Sequence, residues 1–135
     1  MIMRCLLTLA VLLAVALTGC HSAGDRTVIA DEAMDGKRIT VHSGDVIELK
    51  LPENPSTGYR WLPTDDFRPA LLTEMGSTYI GDAAASGIVG AGGTRIWRYR
   101  ADHIGECTLQ FGLVPPGRSP GPEDDRYRIT VVVAD

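Results

Sequence analysis

Short runs in which apolar and polar residues alternate recur from residue 37 onward, and these runs constrain the fold most. Alternation with a period of two is typical of half-buried β-strands. Segments rich in proline and glycine separate the runs, and this part of the chain has no helical stripe of large apolar residues. The pattern predicts an all-β fold, an antiparallel β-sandwich, with a barrel as the main alternative. The predicted strands span residues 37–41, 45–51, 59–62, 94–101, 107–113 and 127–133, with another strand within 71–79.

One face of each predicted strand carries apolar side chains that we expect to form the core. These are Ile39, Val41, Ile47, Leu49, Leu51, Tyr59, Trp61, Trp97, Tyr99, Cys107, Leu109, Phe111, Leu113, Tyr127, Ile129, Val131 and Val133. Cys107 is in phase with Leu109 and Phe111, so the pattern predicts a buried, inert thiol.

Residues 1–19 are predicted to be a lipoprotein signal peptide. Arg4 gives a short positive start, and the apolar run of residues 6–17 is too short to span a bilayer comfortably. The run ends in Leu-Thr-Gly-Cys, which resembles a bacterial lipoprotein cleavage site. Cleavage would leave Cys20 acylated and anchored in a lipid bilayer, residues 20–27 as a tether and residues 28–135 as the domain. An ordinary secretory signal with a chance cysteine is the alternative.

This interpretation predicts a lipid-anchored protein of the cell envelope. His21 follows the acylated cysteine, and by bacterial sorting patterns it favours the periplasmic side of the outer membrane in a cell with two membranes. Cys5 leaves with the signal peptide and Cys20 carries lipid, so Cys107 has no partner for an intrachain disulfide. Acidic residues outnumber basic ones, 17 to 13, without a basic cluster, which argues against a nucleic-acid partner.

The segment of residues 52–58 connects two predicted strands and is too long for a two-residue hairpin turn. Pro55 restricts the backbone on both sides of its peptide bond, and Gly58 permits the positive φ that returns the chain to the next strand. The only charged residue is Glu53, so the tip is small and neutral. The sequence predicts a stiff projecting loop. Such a loop is able to enter a groove of another protein, but from this loop alone an ordinary connector is the favoured interpretation.

Two motifs, and the order in which they occur along the chain, resemble those of the chagasin-type inhibitors of cysteine peptidases. Asn-Pro-Ser-Thr-Gly-Tyr at residues 54–59 is similar to that family's Asn-Pro-x-Thr-Gly-Tyr/Phe signature. Gly-Ala-Gly-Gly at residues 90–93, followed by Thr94 and Trp97, is similar to its Gly-x-Gly-Gly loop and the strand that leaves it. The resemblance extends over most of the predicted domain.

The resemblance implies an immunoglobulin-like sandwich that blocks papain-like cysteine peptidases non-covalently with three loops in the active-site cleft. It places Ser56 and Thr57 over the catalytic cysteine of the peptidase and the glycine-rich loop against a neighbouring wall. The implied peptidase-binding residues are Asn54, Pro55, Ser56, Thr57, Gly58, Tyr59, Gly90, Gly92, Gly93 and Pro116.

The third family element, Arg-Pro-Trp, is altered in this sequence. Pro116 matches the proline, Pro115 stands where the arginine would be, and Gly117 replaces the tryptophan. Tryptophan is a common anchor of protein interfaces, so we expect weakened affinity. The alternative function is a cell-envelope interaction module on the same scaffold that does not inhibit peptidases.

Enzymatic and metal-binding chemistry is poorly supported by the sequence. Cys107 with His103 or His42 would form a nucleophile–base pair, but the strand phase favours an inert thiol. Residues 123–125 are acidic but lack the ligand spacing of a calcium loop, and histidine and cysteine do not cluster as zinc requires. We therefore predict no catalytic residue, no metal and no cofactor.

Overall fold

The computed structural model describes residues 26–64, 70–82, 87–88 and 90–135, and within these ranges it contains eight β-strands. The predicted signal peptide and Cys20 lie outside the described residues. The strands are β1 (Thr27–Asp31), β2 (Arg38–His42), β3 (Val46–Glu53), β4 (Arg60–Pro63), β5 (Leu72–Gly81), β6 (Gly93–Ala101), β7 (Gly105–Val114) and β8 (Asp125–Ala134). Short 3-10 turns occupy Glu32–Met34 and Pro55–Thr57.

The strands form two four-stranded sheets around one core. The first sheet has the order β1-β3-β6-β5 and the second has the order β2-β8-β7-β4. The prediction of an all-β, immunoglobulin-like sandwich is thus confirmed, and the alternative of a single closed barrel is not.

Both sheets contain one parallel pair, which the sequence did not predict. β1 pairs parallel with β3, and β2 pairs parallel with β8, while the other pairs are antiparallel. The chain passes from one sheet to the other between β1 and β2, through the turn Glu32–Met34 that the Asp31 side chain caps. Short edge strands of this kind carry too little alternation to reveal their pairing direction.

The core contains the apolar faces that the alternation predicted. The core residues are Ala30, Ile39, Val41, Ile47, Leu49, Leu51, Leu72, Trp97, Tyr99, Ala101, Leu109, Phe111, Tyr127, Ile129, Val131 and Val133. Trp97 and Phe111 link the two sheets, with ring centroids 5.4 Å apart.

Four residues of the predicted core differ in the structure. Trp61 packs against the core but is only partly buried. Tyr59 is 45 % exposed because it precedes β4 and still belongs to the preceding loop. Leu113 is only partly buried, whereas its neighbour Val114 is 1 % exposed although it is not part of the core cluster. Cys107 packs against the core but is only partly buried, near the beginning of β7.

The partial burial of Cys107 gives a testable prediction. Desolvation, and then the negative charge of Glu106, raises the pKa of the Cys107 thiol. Because folding disfavours the thiolate, stability should fall as pH rises through the unfolded thiol's pKa, about 8.5. We expect iodoacetamide to alkylate the folded thiol more slowly than the urea-unfolded thiol. The alkylation rate of the folded thiol should also reach half its maximum at a higher pH. Peptide mass spectrometry across pH 7 to 10 measures this at Cys107, and equal rates in both states would contradict it.

Candidate functional site

Three loops meet at one end of the sandwich, which we call the loop pole. Loop 1 (residues 54–59) follows β3, loop 2 (residues 82–92) precedes β6, and loop 3 (residues 115–124) follows β7. Glu53 pairs with Gly93 and Arg60 pairs with Val114, so strand register brings these connections together. Residues 83–86 and 89 of loop 2 lie outside the described residues. The predicted clustering of three loops is confirmed for the parts that are described.

Asn54 organises loop 1. Its side-chain oxygen accepts hydrogen bonds from the Ser56 amide at 3.1 Å and the Ser56 hydroxyl at 2.7 Å. Its backbone carbonyl accepts a bond from the Thr57 hydroxyl at 2.8 Å. Asn54 therefore caps the 3-10 turn Pro55–Thr57, and Gly58 ends the turn with φ +79°. Residues 55–57 are exposed at the tip on a backbone already fixed by internal bonds.

The same asparagine connects loop 1 to loop 2. Its Nδ2 group donates a 2.9 Å hydrogen bond to the carbonyl of Gly90. Gly90 has φ +86°, and a Cβ at this position would lie 3.7 Å from the Ser56 Oγ. Asn54 thus orders loop 1 with the oxygen of its side-chain amide and bonds to loop 2 with the nitrogen.

Gly58 connects loop 1 to loop 3. A Cβ at Gly58 would lie 2.8 Å from Pro116 Cγ, closer than real Cβ contacts permit. The position needs glycine for two reasons, its positive φ and the contact with Pro116. The sequence explained the first reason, but only the folded chain shows the second.

Loop 3 folds back on the outer face of the second sheet. The Asp124 carboxylate accepts a 2.6 Å hydrogen bond from the Gly121 amide and forms an ion pair with Arg118. A Cβ at Gly112 would lie 2.8 Å from Pro120, so the loop packs on the strand at this point. Asp124, in the acidic run of residues 123–125, therefore holds loop 3 together through internal bonds. At the tip, Gly117 has φ +75° and open space around it.

The glycines of the second motif have different surroundings. Gly92 is partly buried, and a Cβ there would lie 3.8 Å from the Glu53 carbonyl. Gly93 is buried as the first residue of β6. A Cβ there would collide with the backbone carbonyl of Ile80 and would lie 2.7 Å from Cζ of Tyr79. The chain's own packing therefore requires glycine at position 93, whatever a partner protein requires.

The side chains that line the base of this site were not predicted from the sequence. Glu53, Arg95 and Arg60 line one groove together with Pro55, Gly58 and Pro116. A continuation of the groove between β4 and loop 3 contains Leu62 and Val114. The sequence carried one signal, since Val114 is apolar but stands out of phase with Leu109, Phe111 and Leu113 of β7.

The described residues contain no cluster of ligands for a metal ion. The tip of loop 1 presents small neutral side chains, with the Arg60 guanidinium beside it. Among the described residues, we find no helix of the length and apolarity needed to cross a membrane.

Comparison with known proteins agrees with this geometry. Residues 40–131 match the model of the Chagasin family peptidase inhibitor I42. The chain belongs to the chagasin family. It is 24 % identical to chagasin from Trypanosoma cruzi over 102 residues, which cover 73 % of this chain and 90 % of that protein.

Solved structures of chagasin-family relatives share the fold. The cysteine protease inhibitor EhICP2 from Entamoeba histolytica superposes with a TM-score of 0.68 at 24 % identity, covering 81 % of this chain and 96 % of that chain. PbICP-C, solved in complex with falcipain-2, superposes with a TM-score of 0.53 at 13 % identity, covering 82 % of this chain and 100 % of that chain. Membership of an inhibitor family agrees with the prediction that the protein is not an enzyme.

The two constraints on Gly58 predict a specific loss of binding. Gly58→Val places a β-branched side chain at positive φ and against Pro116, so it should displace loop 1 from loop 3. We expect at least tenfold weaker inhibition of papain, measured as Ki, since about 1.4 kcal/mol of lost binding energy corresponds to tenfold.

Gly44→Val is the matched control for this substitution. Gly44 has φ +92° and lies just before β3, at the end of the sandwich opposite the loop pole. It should lower the melting temperature without changing Ki. Equal Ki values for Gly58→Val and wild type, with the fold checked by circular dichroism, would show that this contact does not shape the binding surface.

Proposed function

We propose that this protein is a reversible, non-covalent inhibitor of papain-like cysteine peptidases. The observation that carries the proposal is the preassembled loop pole, where loop 1 contacts both loop 2, through Asn54 and Gly90, and loop 3, through Gly58 and Pro116. Membership of the chagasin family and the similarity to PbICP-C, whose structure is a complex with falcipain-2, support a peptidase as the partner.

The inhibitor acts as a plug that supplies no reacting group. Ser56 and Thr57 at the tip of loop 1 lie over the catalytic cysteine of the peptidase and exclude substrate from the cleft. Ordering a flexible loop on binding costs about 1 kcal/mol or more per residue. The hydrogen bonds around Asn54 order loop 1 before binding, so most of this cost is already met by folding. The glycines of loop 2 keep its backbone free of side chains where it approaches the peptidase.

Loop 3 makes the weakest of the three contacts. Gly117 stands where relatives carry an anchoring tryptophan, and the space around it is open. Loss of a central aromatic anchor costs about 2–4 kcal/mol, or roughly thirty- to a thousand-fold in affinity. We therefore expect measurable but weak inhibition of papain.

A Gly117→Trp variant tests this account of loop 3. Trp at positive φ is strained by roughly 1–2 kcal/mol, which offsets part of the gain from the ring, so we expect about tenfold tighter inhibition. Gly117→Ala carries the strain without the ring and should bind no more tightly than wild type. Steady-state Ki values on papain measure all three proteins. If the wild type does not compete at high micromolar concentration and Gly117→Trp restores nothing, an interaction module without peptidase inhibition replaces the proposal.

We further propose that acylated Cys20 anchors the inhibitor in the cell envelope. Strand topology supports this arrangement: β1 runs parallel to β3, so the chain enters the domain at the end opposite loop 1. Eight residues of β3, at about 3.3 Å each, separate the two ends of the sandwich. An anchored domain would therefore hold its loops away from the membrane, where a peptidase can reach them.

Cys20→Ser should release the protein from the membrane fraction, because the acyl chains are attached through this thiol. Fractionation with labelled palmitate in the expressing cell measures both retention and acylation. Cys107→Ser is the control and should leave both unchanged. Retention of the Cys20→Ser protein in the membrane fraction would contradict lipid anchoring but would leave the inhibitor proposal intact.

A further inference from the structure

Two carboxylates, Asp45 and Glu53, are buried among the described residues, and they lie at opposite ends of β3. Each accepts hydrogen bonds from an arginine and from a backbone amide. Asp45 accepts from the His42 amide at 2.8 Å and from Arg26 at 3.2 Å. The two carboxylates have the same chemistry and are both buried, but only Glu53 lies at the loop pole. Comparing variants of the two therefore distinguishes an effect on stability from an effect on the site.

The Glu53 carboxylate joins the strands that hold loops 1 and 2. Glu53 is the last residue before loop 1, and its Oε2 accepts a 3.1 Å hydrogen bond from the amide of Trp61, in the strand that follows loop 1. Its Oε1 accepts bonds of 3.1 and 2.7 Å from Arg95, in the strand that follows loop 2. A single side chain with no exposed surface therefore connects β3, β4 and β6 across both sheets.

Neighbouring contacts strengthen the same connection. The Trp61 indole donates a 2.8 Å hydrogen bond to the carbonyl of Pro52, which closes the base of loop 1 a second time. The Arg95 guanidinium lies 5.5 Å from the centroid of the Tyr79 ring, and that ring covers Gly93 at the end of loop 2. The network thus extends from the exit of loop 1 to the exit of loop 2.

We infer that Glu53 is a positioning residue, which sets the spacing of loops 1 and 2 for the peptidase. A buried ion pair is poor evidence for stability, since apolar residues of similar volume often stabilise a fold as well or better. Its directional bonds instead fix geometry. Beyond this network, the described bond between the two loops is the one from Asn54 to Gly90, at the exposed tip. The inference rests on the proposed function, because the spacing matters only when both loops contact one partner.

Glu53→Gln tests the inference, with Asp45→Asn as its matched control. Each substitution keeps the shape, removes a buried negative charge and leaves an arginine without its ion pair. We expect both to lower the melting temperature. Only Glu53→Gln should weaken papain inhibition, by about tenfold through faster dissociation, and increase amide hydrogen exchange in residues 54–59 and 90–92.

A double variant, Glu53→Gln with Arg95→Gln, separates positioning from stability. It removes both charges together, so no uncompensated charge remains buried and the melting temperature should recover. It also serves if Glu53→Gln does not fold. We expect Ki to stay weakened, because the carboxylate bridge between three strands is still absent.

Two outcomes would overturn the inference: recovery of Ki together with the melting temperature in the double variant, or equal Ki values for Glu53→Gln and Asp45→Asn. Absence of papain inhibition by the wild type overturns the proposed function instead. In that case amide hydrogen exchange of the two loops still tests the positioning role of Glu53, because it needs no peptidase. Unchanged exchange in the Glu53→Gln variant would overturn the inference.

Discussion

The antiparallel pairing of β3 with β6 is the interaction on which the rest of the site depends. In this register Glu53 lies opposite Gly93, so loop 1 begins where loop 2 ends. A shift of one residue would turn every side chain of β3 to the other face and expose Ile47, Leu49 and Leu51. The register that buries the core therefore also sets where the two binding loops begin and end. A shift in this register would disrupt both the core and the site.

Glycine has distinct roles at three positions of the loop pole. At Gly58 the left-handed backbone and the Pro116 ring both exclude a side chain. At Gly93 the reason is internal, since the Ile80 carbonyl and the Tyr79 ring leave no space for a Cβ. Gly117 faces open space, and its positive φ resists an L-residue. A family signature thus contains glycines that folding requires and glycines that binding requires. Only the contacts around each residue show which requirement applies.

The tip of loop 1 differs in chemistry from the opposite pole of the sandwich. It presents small neutral side chains on a backbone ordered by its own hydrogen bonds, and Arg95 neutralises the buried carboxylate at its base. The opposite pole contains ion pairs such as Arg100 with Asp102, and the pKa of the Asp102 carboxyl is lowered, first by its hydrogen bond from Arg100. A neutral tip is easy to desolvate, which suits insertion into a cleft. Both chain ends of the described domain lie at the pole away from the loops.

The sequence by itself determined most strand positions and the two loop signatures, because period-two alternation and the backbone limits of proline and glycine are local properties. It could not determine the parallel edge pairs, the burial of Val114 or the exposure of Tyr59. Those depend on which strands become neighbours and on how loop 3 folds back. The burial of Glu53 was equally hidden, since a lone glutamate beside a loop is ordinarily solvated. In the folded chain, Arg95 and the Trp61 amide form hydrogen bonds with the Glu53 carboxylate. These bonds compensate the burial of its charge and allow it to join three strands.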